Sequence, residues 1–462
     1  MAEQMIRTLR DFPAVEMLLQ SKELAEALAT VPRPIASDMV KTVVAELKQR
    51  LSETSAPLTL DHLYDLVRER IRDEAVTQIT RVVNATGVVV HTNLGRAPFS
   101  PNMFARIQKR VVGYGNIEFD LTVGKRGGRG AACERYLATL SEAEAGTVVN
   151  NNAAAVFLIL NTLANRRKVI ISRGELVQIG GGFRIPDILN RSGARLSEIG
   201  TTNITTLADY EQAIDDRTAL ILKVHKSNFI QAGFTQEVEL KALVALGRQH
   251  GLPVVNDLGS GVFVPTRDLL GYHEPTVQES VRAGAALTCF SGDKLLGGVQ
   301  AGLIVGQRDF IQKIRKNPIF RTVRVDKIVF SVLESLLPAY LDGTYREEIK
   351  LWQLLSRPVG DLKRMAETII VKSGAKSDLS IEDTPAFVGG GAMPEQSLPS
   401  IGLVFASSSG ANELMTFFRN CAPPIIGRID NDRFILDLKA VDSEDVTLLA
   451  GAIAQAFQQR RK

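Results

Sequence analysis

The stretch CFSGDKLLGGVQAG, residues 289–302, sets one lysine, Lys294, behind a strand-like apolar run and among four glycines. Surface lysines ordinarily sit among polar residues on helix faces. This one follows AALTCF (285–290), which reads as a buried strand, and the glycines let backbone come close to whatever lies beside its amine. Comparable runs recur at KVIIS (168–172), TALILKVH (218–225), LPVVND (252–257) and GLIVG (302–306), separated by helical patterns and glycine turns. That alternation predicts βαβ units: an α/β domain with a mainly parallel central sheet that binds ligands at the carboxyl ends of its strands.

Outward from this core, the chain of 462 residues, 45% hydrophobic and 23% charged, has the composition of a soluble α/β protein of several domains. Residues 1–81 read as a helical module, with Val40, Val43, Val44, Leu47 and Leu51 at helical spacing, as are Leu63, Leu66, Val67 and Ile71. A large α/β domain is expected over 82–324, a linking helix over 325–345 and a smaller α+β domain over 346–462, where IIGRIDNDRFILDL (425–438) predicts a hairpin turning at Asp430 to Asp432. Neither a signal-peptide pattern nor an apolar run of membrane-spanning length is present, so a cytoplasmic protein is expected. Cys133, Cys289 and Cys421 are far apart and form no CxxC pattern, so neither disulfide nor metal is expected. A formal net charge of +4 does not by itself imply a nucleic-acid partner.

Three elements along the predicted sheet carry chemistry. VVNNNAAAVFLIL (148–160) passes from strand to helix through Asn151, Asn152 and Ala153, a helix start able to hold a phosphate, or one that its asparagines merely cap. PVVNDLGSG (253–261) ends a buried strand at Asp257, either a loop cap or a functional acid. Lys294 follows the next run, with Ser291 three residues before it and Asp293 adjacent. Together they meet the needs of pyridoxal 5'-phosphate: an anion cradle, a carboxylate to keep the ring nitrogen protonated, and an amine for the Schiff base. The bland alternative is a loop lysine on an unrelated α/β protein. To act as nucleophile, the lysine must be desolvated or set beside a cation, because a free amine titrates near a pKa of about 10.4.

Arginines cluster in HTNLGRAP (91–98, Arg96), GKRGGRG (124–130, Arg126 and Arg129) and KIRKNPIFRTVRVDK (313–327, Arg321 and Arg324). Their forks suit phosphate or carboxylate oxygens. Arg315 and Lys316 read instead as a solvated helical face.

The motifs HTNLGRAP, NNNAAAV, SRGELVQIGGGFRIPDI, IGTTN, KVHKSNF, DLGSG, FSGDKLLGGVQAG and IIGRI, with FPAVEMLL near the start, resemble those of bacterial selenocysteine synthases, the L-seryl-tRNA(Sec) selenium transferases. The resemblance implies a fold-type-I, aspartate-aminotransferase-like pyridoxal phosphate transferase of selenocysteine and protein biosynthesis, a homodecamer built from dimers. It implies conversion of L-seryl-tRNA(Sec) to L-selenocysteinyl-tRNA(Sec), by β-elimination to aminoacrylyl-tRNA and addition of selenium from selenophosphate. It further implies that Lys294 is the Schiff-base lysine and base, that Asp257 faces the ring nitrogen, that Asp293 is a second acid, and that residues 1–81 bind tRNA. Arg96, Arg129, Arg321 and Arg324, with Thr201 and Thr202, would hold the selenophosphate dianion. His225 stands where such enzymes stack a side chain on the cofactor, or is a core histidine.

Two features sit uneasily with this. Residues 1–80 hold ten Lys and Arg against thirteen Asp and Glu, so a tRNA-binding module would need a local basic face such as Arg68 and Arg72. Arg428 occupies a region where related folds clamp a free carboxylate, which an esterified substrate lacks. One rival is a pyridoxal phosphate lyase acting on a small free or phosphorylated amino compound, and another is a non-catalytic RNA-binding relative.

Overall fold

Parallel strands buried on both faces must be apolar along their length, and the runs around Lys294 meet that demand. The computed structural model describes residues 5–54, 56–179, 182–375, 379–406 and 410–460. It assembles the runs into one seven-stranded sheet: β1 (Ala145–Val149), β2 (Lys168–Ser172), β3 (Arg195–Ile199), β4 (Thr218–Val224), β5 (Val254–Gly259), β6 (Leu287–Ser291) and β7 (Gly302–Gly306), in the spatial order β3-β2-β4-β5-β6-β7-β1. The pairs from β3 through β6 are parallel, and β7 runs antiparallel to both of its neighbours. Side chains alternate between two cores. Leu287 and Cys289 of β6 enter one with Ile304 of β7, while Phe290, Leu303 and Val305 enter the other.

The loop between β6 and β7 is a tight device. Gly298 donates its N–H to the Gly292 carbonyl, Gly297 to the Lys294 carbonyl, and Leu295 to the Ser260 carbonyl on the neighbouring loop. Gly302, the last residue of the stretch, has to be glycine, since a Cβ there would lie 2.1 Å from the Asn151 carbonyl oxygen. The helix α1 (Asn152–Ala164) is thereby pressed against the start of β7.

The chain divides into two compact units, Met1–Val82 and Val83–Lys462. In the first, the helices Arg33–Thr54 and Leu60–Thr77 bury Val40, Val43, Val44, Leu47, Leu51, Leu63, Val67 and Ile71 in one core, with Leu66 partly buried against it. Arg68, expected to belong to a basic face, is tied down within this unit: it donates to Asp65 and to the Glu23 carbonyl and lies over the Tyr64 ring.

Within the second unit, α2 (Lys327–Leu341) packs into a core of the sheet. A four-stranded antiparallel sheet follows, β8 (Leu379–Gly389), β9 (Ala392–Phe405), β10 (Arg428–Asp430) and β11 (Arg433–Asp437), ordered β8-β9-β11-β10 beside three helices. The expected hairpin turn at 430–432 is formed, with Asn431 and Asp432 in the left-handed region. Residues 83 and 84, at the start of the expected large domain, pair instead with Ile425–Ile426, and Val83 and Ala85 pack into the C-terminal core. Among the described residues, no helix is long and apolar enough to cross a membrane.

Arg428 is occupied by the fold. Its guanidinium donates to the Thr86 carbonyl at 2.6 Å, to Asp437 Oδ2 at 2.9 Å and to the Pro385 carbonyl at 3.1 Å. Asp437 is fully buried and also accepts from the hydroxyls of Thr384 and Ser400. Arg428 therefore locks the C-terminal sheet to the segment around 86. Asp437→Ala removes the charged partner of that guanidinium and the acceptor of two hydroxyls, and the expected cost is about 2–3 kcal/mol, seen as a lower urea midpoint by circular dichroism. An unchanged midpoint would show the pair to be dispensable.

Candidate active site

Chain direction in a parallel sheet brings successive carboxyl ends to one edge, and that edge collects the chemistry. β1 ends before Asn151, β4 before His225, and β6 before Asp293 and Lys294, while Asp257 lies near the end of β5. A cavity of about 240 Å³ is lined by Lys294, Asp293, Ser291, Asp257, Asn151, Asn152, Ala153, His225 and Arg96. These are the catalytic and cofactor-binding candidates from sequence, together with one of the four arginines. Ser227, Gly259 and Gln300 complete the polar wall.

Lys294 is only 6% exposed, and its Nζ makes one long contact, 3.4 Å to the Gly391 carbonyl. Burial pulls its pKa below the ordinary lysine value; Asp257 opposes this and Arg96 adds to it. The neutral amine, the nucleophilic form, is thus favoured. Asp257 is buried as well, accepting from Asn152 Nδ2 at 2.8 Å with Cys289 Sγ 3.8 Å away. Burial raises its pKa, against the amide of Asn152 and the charge of Lys294.

The helix start has two jobs, held by different asparagines. Asn151 caps α1 by accepting from the Ala154 N–H at 2.8 Å, whereas Asn152 turns to Asp257. His225 donates its backbone N–H to the Asp257 carbonyl, and its Nε2 lies 3.3 Å from Oε1 of the buried Glu274. Arg96 adopts φ +62° and donates from Nη1 to Asp293 Oδ2 at 2.5 Å. Non-glycine residues rarely take that backbone conformation, and here it points the arginine at the acid beside the lysine.

The remaining candidates lie elsewhere. Arg129, Arg321 and Arg324 line a separate cavity of about 500 Å³, with Arg126, Arg315 and Lys316, and only Glu118 and Glu134 oppose the six cations. Glu118 lies 2.8 Å from Arg129 Nε, 3.0 Å from Arg126 and 3.8 Å from Arg324. Desolvation pushes the Glu118 carboxyl up, but Arg129, Arg126 and Arg324 outweigh it and the net shift is downward. Arg315, expected on a solvated face, pairs with Glu134 in this cavity. Thr201 and Thr202 line neither cavity. They form an exposed turn in which Thr201 Oγ1 bonds Ile204 and the Thr202 carbonyl accepts from Gln231 at 2.7 Å. Of the motif at 172–188, residues 180 and 181 lie outside the described residues.

Two groups beside the lysine escaped the sequence reading, the lining residue Ser227 and Gly391, whose carbonyl contacts Lys294 Nζ. Ser227 stood inside a quoted motif without a role. Gly391 comes from the remote β8–β9 turn, at φ +75°, where a Cβ would lie 3.0 Å from Lys294 Nζ. The run of three glycines at 389–391 was its only signal.

The cavity suits the cofactor expected from sequence. Three buried polar groups face it with bonding capacity to spare: the Lys294 amine, the Asp257 carboxylate, with no lysine or arginine in direct contact among the described residues, and Asn152 Oδ1, which has no partner among them. A positive ring nitrogen would answer the carboxylate, and the first turn of α1 a phosphate.

The family model described as L-seryl-tRNA selenium transferase matches residues 82–442. The chain is 40% identical over 449 residues to the L-seryl-tRNA(Sec) selenium transferase of Carboxydothermus hydrogenoformans, covering 95% of this chain and 96% of that protein. It is 42% identical over 454 residues to the protein of that name from Geotalea uraniireducens, with 96% and 98% covered. The Aquifex aeolicus protein of the same name is 45% identical over 384 residues, with 82% and 85% covered. Among solved structures, a D-glucosaminate-6-phosphate ammonia-lyase superposes with a TM-score of 0.59 at 17% identity, over 83% of this chain and 97% of that one, a likeness of fold.

Since Arg96 depresses the pKa of Lys294 and also screens Asp293, Arg96→Ala is expected to move deprotonation of the amine to higher pH. The rate of Schiff-base formation between cofactor-free protein and added pyridoxal 5'-phosphate, followed by absorbance against pH, reads this directly. A midpoint identical to wild type would remove Arg96 from the electrostatics of the lysine.

Proposed function

Because this chain belongs to the L-seryl-tRNA selenium transferase family, we propose how its residues divide the conversion of L-seryl-tRNA(Sec) to L-selenocysteinyl-tRNA(Sec). It is a pyridoxal phosphate-dependent transferase, and the small-molecule lyase alternative is not favoured. The observation that carries the assignment of roles is the convergence of Lys294, Asp257 and the start of α1 on one cavity.

When bound, pyridoxal 5'-phosphate supplies an aldehyde for amines and a protonated ring that withdraws electrons from the substrate α-carbon. Asn151, Asn152, Ala153 and Ser227 would hold its phosphate end, Asp257 the proton on its ring nitrogen, and His225 its face. Lys294 takes the proton from the seryl α-carbon, burial shifting its amine toward the neutral form. Asn152 keeps Asp257 oriented, and Arg96 keeps Asp293 beside the lysine. The β-hydroxyl leaves as water, selenium from selenophosphate adds to the β-carbon while its bond to phosphorus is cleaved by water and orthophosphate departs, and a proton returns to the α-carbon.

Selenophosphate is the donor in this proposal, held by Arg96, Arg129, Arg321 and Arg324. Six cations around two acids make the second cavity suited to a small dianion. In one chain Arg96 faces the lysine while the other three arginines line a different cavity, which favours a homo-oligomer, a homodecamer built from dimers, whose neighbouring copies combine the two sets. Thr201 and Thr202 would act at the edge of such a shared site. The Met1–Val82 unit would bind the tRNA body by shape, because its charge is unfavourable and Arg68 is engaged internally.

Visible absorption of the purified protein tests the assignment. A Schiff-base band is expected that is absent from Lys294→Ala and shifts with seryl-tRNA(Sec) but not with free serine; a response to free serine alone would reinstate the small-molecule lyase. Arg321→Ala and Arg324→Ala should each raise the KM for selenophosphate about tenfold or more while leaving that absorption shift intact, given the strength of charge-assisted bonds. Unaltered KM values would remove these arginines from donor binding.

A further inference from the structure

We propose that a cavity adjoining the lysine site seats the terminal adenosine of the aminoacyl-tRNA, a subsite that rests on the function above. Ester chemistry makes such a subsite necessary. The ribose oxygen is separated from the seryl α-carbon by the carbonyl carbon alone, so an α-carbon delivered to Lys294 brings its nucleoside into directly contiguous space.

Among the described residues, a second cavity is contiguous with the lysine cavity in this way. It measures about 510 Å³ and shares Val224 and His225 with the lysine cavity, whereas the arginine cavity shares no lining residue with it. The β8–β9 turn makes a second link: Gly391 touches Lys294 Nζ, and Met393 and Gln396, a few residues on, line the adjoining cavity.

Its lining matches a nucleoside and not an anion. The two lysines are already neutralised, Lys223 by Glu175 at 3.1 Å and Lys226 by Glu237 at 3.0 Å. Glu274 is buried and faces His225 at 3.3 Å, and His273 lies 3.5 Å from Glu279; the rest of the lining includes aromatic and amide surface: Tyr272, which is 38% exposed, the ring of Phe229, and the amides of Gln236 and Gln396. Neither amide side chain makes a hydrogen bond among the described residues, and each offers both donors and an acceptor to a base edge. Tyrosine and phenylalanine are stacking platforms for bases. Met393 adopts φ +50°, an uncommon conformation for a non-glycine residue that concentrates at ligand clamps.

The test uses full-length holoenzyme carrying Tyr272→Ala, or Gln236→Ala with Gln396→Ala. KM for seryl-tRNA(Sec) should rise about 5- to 150-fold in Tyr272→Ala, the range for loss of one stacked base. The KM for selenophosphate and the cofactor absorption should stay as in wild type. Free adenosine, monitored by saturation-transfer NMR, should bind wild type and lose its signal in Tyr272→Ala. Wild-type turnover with unchanged seryl-tRNA KM and unchanged adenosine binding in the variants overturns the subsite and leaves the function standing. A rise in the KM for selenophosphate alone overturns it in favour of a donor site. If wild type fails to convert seryl-tRNA(Sec), the functional reading falls, and adenosine binding that depends on Tyr272 still upholds a nucleoside site.

Discussion

An amine and a carboxylate are buried in one small cavity, and the rest of the second unit is arranged to make that tolerable. Taking either charge out of water costs roughly several kcal/mol, and neither Lys294 nor Asp257 recovers it through a direct ion pair. Lys294 has one long carbonyl contact and Asp257 has an amide. Such a pair persists only if the surrounding backbone leaves it no alternative. The loop closed by Gly292, Gly297 and Gly298, pinned to Ser260, supplies that rigidity, and so does the glycine turn at 389–391 that covers the amine.

The same economy of charge separates the cavities from one another. Around the lysine, Arg96 is set against Asp293 and the His225 ring against Glu274, while Lys294 and Asp257 have no direct ionic partner among the described residues. In the adjoining cavity the lysines are paired, Glu274 faces His225, and the exposed ring of Tyr272 and the side chains of Gln236 and Gln396 are uncharged. In the arginine cavity the balance is abandoned, with six cations around Glu118 and Glu134. Chemistry that brings a cofactor, an aminoacyl nucleoside and a selenium-bearing dianion to one place has use for three environments of this kind.

Not every conspicuous charge serves chemistry. Arg428 resembled a carboxylate clamp in sequence, yet its guanidinium is shared among Asp437 and two carbonyls. Arg68 resembled part of an RNA-facing patch, yet it closes contacts inside its own helical unit. In both cases the guanidinium is also held by backbone carbonyls remote along the chain, Glu23 for Arg68 and Thr86 for Arg428, which a motif does not record.

Strand periodicity and the position of residues at strand ends made the sheet, Lys294, Asp257 and the start of α1 legible from sequence, because each is a local property: apolar runs, a cap, a glycine-framed loop. The motifs likewise carried the family. The C-terminal hairpin was equally readable, since its turn residues are contiguous. Tertiary structure alone decided which side chains share a cavity. It joined Arg96 to Asp293 across 197 positions, moved Arg129, Arg321 and Arg324 to a space of their own, left Thr201 and Thr202 in an exposed turn, and brought Gly391 from another sheet onto the lysine. The physical reason is that helix and strand signals arise from neighbours a few residues apart, whereas desolvation and charge pairing depend on which distant segments pack together.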